Sequence, residues 1–190
     1  MTKGRLFIIT GPSCAGKTSV SNSILSSEHN IKRAVSFTTR KKRENEIDSV
    51  DYFFVSVNEF KKLILKNRFI EYTEVYGNFY GTSKESFNQI ELGFDVIKDI
   101  DIQGALKIKE LDIPAVFFFL APKNFEILFS RINSERNTET VNLRIKAYAY
   151  EIKYKNFFNY YIDTSGDSND TNIMGCAKKI IKLINCISTL

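Results

Sequence analysis

An α/β fold, with a three-layer core around a parallel sheet, is predicted by three features of the 190-residue sequence. The first is the order of a short apolar strand at 6–10, a glycine-rich loop at 11–18 and a helix. The second is an alternation of strand and helix patterns after residue 94, which is typical of parallel strands joined by crossover helices. The third is a strand-rich stretch at 33–93 that interrupts this alternation, so we expect a small insertion there.

The insertion is predicted to hold short strands and two helices, because aromatic and β-branched runs alternate with capping signals. Ser56 begins a capping box for the first helix, and Thr82 begins one for the second. In the strand at 69–76, alternation places Glu71 on the same side as apolar residues, an unusual position for a carboxylate. The predicted strands are 34–37, 51–55, 69–76 and 79–81, and the second helix runs to residue 92.

The second half of the chain is predicted to return to the core. Strands are expected at 94–100, 115–120 and 160–162, with helices at 103–111, 124–132, 141–157 and 173–187. A polar segment at 133–142 is a candidate lid. The predicted division is therefore a core formed by 1–32 and 94–190, which includes the lid, and an insertion at 33–93.

Composition favours one globular domain that acts on acidic ligands. The formal net charge is +5, and the absence of a membrane-length apolar run and of a signal-peptide pattern predicts a cytoplasmic protein. Three cysteines at no metal-ligand spacing indicate neither a disulfide framework nor a zinc site. The single histidine, His29, excludes a histidine-based triad. Taken alone, the basic run at 40–43 fits a nucleic-acid patch, a localisation signal or a solvated loop.

The loop after the first strand fits the phosphate-binding pattern G-x-x-x-x-G-K-[ST] of P-loop proteins at every fixed position. Gly11 and Gly16 allow backbone N–H groups to point inward, and the next helix adds its positive N-terminal end. Lys17 would reach the outer phosphates of a polyphosphate, and the Thr18 hydroxyl would ligate Mg²⁺. A chance glycine-rich turn is the alternative, in which Cys14 only fills space. The predicted binding segment is Gly11, Pro12, Ser13, Cys14, Ala15, Gly16, Lys17, Thr18 and Ser19.

Five further motifs, in the same order along the chain, resemble those of the guanylate kinase family. They are VSFTTR at 35–40, DYFFVS at 51–56, FIE at 69–71, GNFYGT at 77–82 and DIDIQG at 99–104. The resemblance runs from the first strand to about residue 151 and is more specific than the phosphate loop alone. It implies that ATP binds at the loop and that the insertion binds GMP.

The resemblance also implies which side chains hold GMP. Arg40 and Arg43 would bind its phosphate, since guanidinium groups fit phosphate oxygens bidentately, and Tyr52 and Tyr80 would add hydroxyl donors. Glu71 would accept two hydrogen bonds from guanine, where adenine offers none. A solvated charged face with core tyrosines is the alternative. The full implied set is Ser36, Arg40, Arg43, Tyr52, Glu71, Tyr80, Thr82 and Asp101.

The same resemblance assigns roles to the remaining polar side chains. Ser36 and Thr82 would meet O6 and N7 of guanine, although Thr82 could instead serve only as a helix cap. Asp101 would contact the base amino group. Asp99, at a strand end, would order Mg²⁺ or its waters together with Thr18, with a plain strand-end charge as the alternative.

Three arginines of the second half are implied to close over the transferring phosphoryl group. They are Arg131, Arg136 and Arg144, and with Lys17 and Arg40 they form the predicted catalytic set. No general base is required, because the acceptor is already a phosphate oxyanion and catalysis reduces to positioning and charge stabilisation.

The predicted function is phosphorylation of GMP, and of dGMP, by ATP with Mg²⁺ as cofactor, within purine nucleotide metabolism. The expected partners are these nucleotides, without nucleic acid or membrane, and the chain is expected to be a monomer or homodimer. Two alternatives stay open. A non-catalytic guanylate-kinase-like binding module would not need the intact loop at 16–18, and a P-loop kinase for another small phosphate ester would not need Glu71.

Overall fold

Nine strands and seven α-helices make up the part of the chain described by the computed structural model, residues 2–134 and 138–187, with backbone only at 138–140. The strands are β1 (Leu6–Thr10), β2 (Ile31–Arg33), β3 (Ser36–Thr38), β4 (Tyr52–Phe54), β5 (Phe69–Val75), β6 (Asn78–Ser83), β7 (Asp95–Asp99), β8 (Val116–Ala121) and β9 (Tyr160–Asp163). The helices are α1 (Lys17–Ser27), α2 (Val57–Leu65), α3 (Asn88–Glu91), α4 (Ile102–Glu110), α5 (Phe125–Asn133), α6 (Thr138–Glu151) and α7 (Ile173–Cys186). Two 3₁₀ turns lie at Lys84–Phe87 and Ile152–Tyr154.

Five parallel strands form the central sheet, in the order β2-β7-β1-β8-β9. All five residues of β1 are buried, as expected for a parallel strand covered on both faces. On one face, Phe7 and Ile9 pack with α1 and α7. On the other, Leu6 and Ile8 pack with α4. The predicted three-layer α/β fold is therefore confirmed.

A second sheet, in the order β4-β3-β6-β5, is built entirely from residues within 33–93. β3 is parallel to β4, whereas β6 is antiparallel to both of its neighbours. Aromatic rings form its core: Phe60 stacks on Phe69 with ring centroids 4.6 Å apart. A Cβ on Gly81 would lie 2.9 Å from both rings, so a glycine is needed beneath them. The two sheets share no strand, and the division into core and insertion stays a prediction.

Two sequence predictions within this region are wrong. The strand predicted at 34–37 begins too early, because only residues 36 and 37 lie in a strand, β3. The preceding strand β2 was not predicted and belongs to the other sheet. The backbone N–H of Ala34 donates to the carbonyl oxygen of Ile97 at 2.9 Å, and the chain then crosses to the second sheet. Thr82 does not cap a helix, because it lies in β6 opposite Glu71; pairing with β5 continues to Ser83 and overrides the local capping signal.

Two helices also differ from their predicted bounds. The helix predicted from 82 to 92 is a 3₁₀ turn at Lys84–Phe87 followed by the four-residue α3. The long helix predicted at 141–157 is α6, which begins at residue 138 and ends at Glu151. The candidate lid at 133–142 lies partly outside the described residues.

Arg5 joins the start of β1 to β7 and to the end of α7. Its Nη2 lies 2.6 Å from Oδ2 of Asp95. Its Nη1 donates to the carbonyl oxygens of Ile184 at 2.9 Å and Ile187 at 2.7 Å. The guanidinium therefore binds carbonyl oxygens at the end of the helix, where a positive charge is also favoured by the helix dipole. None of the helices within the described ranges has both the length and the apolarity to cross a membrane.

Candidate active site

The phosphate loop leaves β1 and turns tightly into α1. Gly11 has φ +141°, and a Cβ there would lie 2.0 Å from the carbonyl oxygen of Leu120. Gly16 has φ +88° with nothing within 4 Å of an added Cβ. Gly11 is therefore required by the close approach of β8, whereas Gly16 is required only by its backbone conformation.

Lys17 lies at the centre of the loop. Its Nζ donates to the carbonyl oxygens of Gly11 and Pro12, both at 2.8 Å. Burial lowers the pKa of Lys17, and the carboxylates of Glu151 and of the 99–101 segment oppose this change. Glu151 was not predicted from sequence, because it lies at the end of α6, far along the chain from the loop. These carboxylates offset part of the cost of burying the charged amine.

Thr18 and Asp99 are joined by a hydrogen bond, in which the Thr18 hydroxyl donates to Oδ2 of Asp99 at 2.8 Å. Arg33 was not predicted to belong here, yet its Nη1 lies 3.2 Å from Oδ1 of Asp99, and its Nη2 donates to Asn22. The carboxyl ends of β2 and β7 lie side by side, which brings Arg33 to this edge. Assignment of β2 as a strand in the sequence analysis would have placed Arg33 at the same edge of the sheet as Asp99.

The oxygen atoms of Thr18 and Asp99 are of the kind that Mg²⁺ prefers. Within the described residues, no group of three or more His, Cys, Asp or Glu side chains forms a metal cage. Mg²⁺ commonly binds through one or two protein oxygens together with waters and substrate phosphates. The two side chains therefore fit a magnesium ion that arrives with a nucleotide.

Arg40 is held by a carboxylate that the sequence analysis did not single out. Its Nη1 and Nη2 donate to the two oxygens of Glu46 at 3.0 and 2.6 Å. Its guanidinium carbon lies 5.5 Å from the ring centroid of Tyr52 and 5.8 Å from that of Phe54. Glu46 also accepts from the backbone N–H of Arg43 at 2.8 Å. Burial favours the protonated form of Glu46, but the hydrogen bonds and charges of Arg40 and Arg43 together outweigh it and lower the pKa of Glu46.

One cavity of about 560 Å³ joins the phosphate loop to these basic side chains. Tyr52 and Tyr80 meet edge to face there, with ring centroids 6.1 Å apart, and burial raises the pKa of Tyr52, so its hydroxyl is a neutral donor. Ala15 packs into the core instead. The predicted site residues that line the cavity are Ser13, Cys14, Gly16, Lys17, Thr18, Ser19, Ser36, Arg40, Arg43, Tyr52, Tyr80, Asp99, Asp101 and Arg144.

Glu71 is buried behind this cavity, with 5% of its surface exposed. A Cβ on Gly104 would lie 3.0 Å from its Oε2, so the carboxylate lies against the first turn of α4, where helix N–H groups favour negative charge. Burial raises the pKa of Glu71, while Thr82 and the charge of Lys98 oppose the rise. Among the described residues, Thr82 Oγ1 forms no hydrogen bond of full geometry. It is nevertheless close enough to Glu71 to lower the pKa of that carboxyl group.

Asp101 and Ser36 also carry contacts that the sequence did not predict. Asp101 caps α4 by accepting from the N–H of Gly104 at 2.9 Å, and its other oxygen accepts from the hydroxyl of Thr73 at 2.9 Å. Ser36 accepts a hydrogen bond from Lys98. The Ser36–Lys98 contact was not predicted, because a single lysine within an apolar strand does not indicate which residue it contacts.

The structure brings Arg144 of α6 to the cavity. Its Nη1 donates to Sγ of Cys14 at 3.3 Å, and its guanidinium carbon lies 5.7 Å from the ring centroid of Tyr76. Arg144, one of the three arginines predicted to close over the phosphoryl group, thus contacts Cys14 of the phosphate loop.

Arg131 is not brought to the same cavity. Its Nη2 donates to the carbonyl oxygens of Thr164 at 2.6 Å and Ser165 at 2.8 Å. It lines a neighbouring cavity of about 540 Å³, on the other side of Cys14 and Gly16. Arg136 lies outside the described residues.

A parallel α/β core with a phosphate loop, facing an arginine- and tyrosine-lined wall across one cavity, defines this chain as a P-loop kinase. The sequence profile described as guanylate kinase matches residues 3–177. A guanylate kinase of Rickettsia bellii is 41% identical over 172 residues, which are 89% of this chain and 90% of that protein. One of Clostridioides difficile is 42% identical over 164 residues, 84% of this chain and 80% of that protein. The chain belongs to the guanylate kinase family.

A solved guanylate kinase structure agrees with this assignment. The crystal structure of guanylate kinase from Anaplasma phagocytophilum superposes with a TM-score of 0.78 and 29% identity, covering 97% of this chain and 86% of that one. Shikimate kinase from Bacteroides thetaiotaomicron has a TM-score of 0.52 at 11% identity, covering 95% and 98%. The second likeness shows the shared fold alone.

Proposed function

We propose that this protein transfers the γ-phosphoryl group of ATP to the phosphate of GMP, giving ADP and GDP, with Mg²⁺ as cofactor. Family membership supports this reaction. The observation that carries it is the single cavity with a phosphate loop on one side, two arginines and two tyrosines on the other, and the buried Glu71 behind them. A donor and an acceptor phosphate thus have separate binding groups that face each other.

On the acceptor side, Arg40 and Arg43 bind the GMP phosphate, and Tyr52 and Tyr80 donate to its oxygens. Glu46 holds the Arg40 guanidinium in one direction, which reduces the freedom lost on binding. Glu71 accepts from N1–H and the 2-amino group of guanine. Adenine would leave this buried carboxylate without donors, and a buried unpaired group is costly. Ser36, Thr82 and Asp101 complete base recognition.

On the donor side, the loop from Gly11 to Ser19 surrounds the ATP phosphates, and Lys17 exchanges its loop carbonyl contacts for phosphate oxygens. Thr18 and Asp99 would hold Mg²⁺, directly or through its waters. The ion supplies positive charge against the phosphate oxygens. Arg33 fixes the Asp99 carboxylate from its other oxygen.

Transfer itself needs positioning and positive charge, because the GMP phosphate is already anionic. Lys17, Arg40 and Arg144 supply that charge, and Arg131 and Arg136 are proposed to join them. For Arg131 this requires exchange of its two backbone carbonyl bonds. We expect the insertion at 33–93 and the lid at 133–142 to close on the core when both nucleotides bind, because water in the site would hydrolyse ATP.

A coupled assay of ADP formation with GMP, dGMP, AMP, CMP and UMP tests the proposal. We expect turnover with GMP and dGMP and little with the others. Lys17→Ala should abolish transfer but leave GMP binding by calorimetry nearly unchanged, since the lysine faces the donor phosphates. Lys3→Ala, at an exposed lysine paired with Glu91, is the matched control. Equal use of AMP would contradict the guanine site, and near-normal turnover of Lys17→Ala would remove the loop from the mechanism.

The arginines are tested one at a time by single-turnover kinetics. Arg131→Ala, Arg136→Ala and Arg144→Ala should each lower kcat more than they raise KM for GMP, because charge stabilisation matters most while the phosphoryl group is in transfer. A variant with unaltered chemistry but lower stability would identify its arginine as structural.

A further inference from the structure

Lys98 is a buried lysine in the parallel sheet, and the reaction described above gives it no role. It lies on β7 and is 2% exposed. Its Nζ donates to the hydroxyl oxygen of Ser36 and, at 3.2 Å, to the carbonyl oxygen of Ala34. Burial of a charged group away from water is unfavourable unless the group is compensated and hydrogen-bonded. A lysine at this position therefore calls for an explanation.

Burial lowers the pKa of Lys98, and the carboxylates of Asp99, Glu71 and Asp101 act against this change. Within the described residues it forms no direct ion pair, so its two defined partners are neutral oxygens. The Lys98 Nζ is the donor in both contacts, so it acts on Ser36 by occupying a lone pair of the hydroxyl oxygen.

This contact determines what Ser36 can offer a ligand. A serine hydroxyl has one hydrogen and two lone pairs, and the hydrogen rotates to suit its partners. Because Lys98 approaches the oxygen as a donor, the Ser36 hydrogen must point away from it. Ser36 lines the cavity, so its hydrogen is available to an acceptor there, and the Lys98 contact strengthens such a chain of hydrogen bonds.

A hydroxyl donor in the base pocket distinguishes two classes of purine. At position 6, guanine and hypoxanthine carry an oxygen that accepts, whereas adenine carries an amino group that donates. We propose that Lys98 is a positioning residue that fixes Ser36 as a donor toward the 6-oxygen of the purine, and so selects 6-oxopurine monophosphates over 6-aminopurine ones. This inference rests on the proposed function. It is separate from the contribution of Glu71, which reads N1–H and the 2-amino group.

A purely structural role is the competing explanation, because the same ammonium also bonds Ala34. Residues 34–35 are the link between the two sheets, and the N–H of Ala34 is already bonded to Ile97. If Lys98 only holds this link, its removal affects every substrate alike. If it acts through Ser36, its removal affects only substrates with a 6-oxygen.

The test uses Lys98→Met, Ser36→Ala and the double variant, assayed with GMP, AMP and the 5′-monophosphate of 2-aminopurine riboside, which has no 6-oxygen. Methionine has a similar length without donors, and an apolar side chain in place of a buried charge generally folds. We expect KM for GMP to rise roughly tenfold with little change in kcat, the size of one hydrogen bond to a ligand. The double variant should be no worse than either single one.

Three further results complete the test. KM for the 2-aminopurine nucleotide should not change, and the preference for GMP over AMP should fall roughly tenfold. Lys98→Gln, which keeps a donor, should recover part of the GMP affinity. Lys32→Met, at an exposed lysine on the neighbouring strand, is the control and should behave as wild type.

Each contrary outcome overturns a defined claim. Unchanged KM for GMP in Lys98→Met, additive effects in the double variant, or an equal loss with the 2-aminopurine nucleotide would overturn the role of Lys98. If Lys98→Met folds poorly, failure of Lys98→Gln to retain selectivity for the 6-oxygen would do the same. Absence of GMP phosphorylation by the wild type would instead overturn the proposed function on which the inference rests.

Discussion

Replacement of Glu71 by glutamine separates the burial of this carboxylate from its use in binding. Glutamine has nearly the same size, but it offers one acceptor oxygen and turns an amide donor toward the donors of guanine. A hydrogen bond to a charged group contributes about 1.5–3 kcal/mol. Since about 1.4 kcal/mol corresponds to a factor of ten, GMP affinity should fall about 10- to 150-fold. ATP affinity should not change, because the phosphate loop lies across the cavity.

The same replacement should stabilise the protein in the absence of nucleotide, increasingly so as the pH rises. Burial raises the pKa of Glu71 above its ordinary value of 4.5, against the opposing effects of Thr82 and Lys98. Between the unfolded and folded pKa values the unfolded chain binds fewer protons, so the contribution of Glu71 to the free energy of unfolding decreases as pH rises through that window. Glutamine does not titrate, so the variant does not lose stability in this way as the pH rises.

Two measurements decide the outcome. Calorimetric titration with GMP and with ATP gives the affinities, and urea unfolding between about pH 4 and pH 8 gives the stability difference. Glu74→Gln is the matched control, since Glu74 is exposed on the same strand. Unchanged GMP affinity would place Glu71 outside the base site. A stability loss in Glu71→Gln that grows with pH would refute the argument from burial.

The remaining predictions concern the loop, the phosphate-binding arginine and the fold. Gly11→Ala should prevent formation of the loop, because its Cβ would lie 2.0 Å from a β8 carbonyl oxygen. Gly16→Ala should cost only about 1–2 kcal/mol of backbone strain. Similar melting temperatures of the two variants would contradict this difference. Glu46→Gln should raise KM for GMP severalfold by loosening Arg40, while stability changes by less than about 1 kcal/mol; an unaltered KM would remove Glu46 from the site. Arg5→Met should lower the free energy of unfolding by about 3–5 kcal/mol in urea, and a wild-type transition would show that this clamp is not stabilising.

The parts of the fold that depend on neighbouring residues could be predicted from the sequence. The strand, loop and helix at the start follow from a motif whose pattern is contained within eight consecutive residues. Thr82 illustrates the limit of such reasoning. Its capping pattern is a signal between residues three apart, but the residue pairs with Glu71 of another strand. Likewise, the strand predicted at 34–37 missed β2 and began two residues before β3, because the pairing of these short strands with different sheets is not visible in the local sequence.

The site shows the same limit at the level of side chains. The sequence identifies Arg40 and Asp99 as candidates, but it does not show that Glu46 holds the first or that Arg33 holds the second. Arg131 was predicted to face the phosphoryl group because of its place in a motif, and its contacts with backbone carbonyls depend on where a distant loop lies. The cytoplasmic location and the oligomeric state stay predictions.

The strand order has a consequence for synthesis of the chain on the ribosome. β1 is translated before every other strand, yet it occupies the middle of the sheet: Leu6 pairs with Val96, and Phe7 pairs with Val116. At roughly 5–20 residues per second, the four apolar residues of β1 wait several seconds before either neighbour has been made. A short apolar segment without charge or proline is prone to intermolecular β-pairing during such a delay. We therefore expect the nascent chain to depend most on chaperones before β7 and β8 emerge.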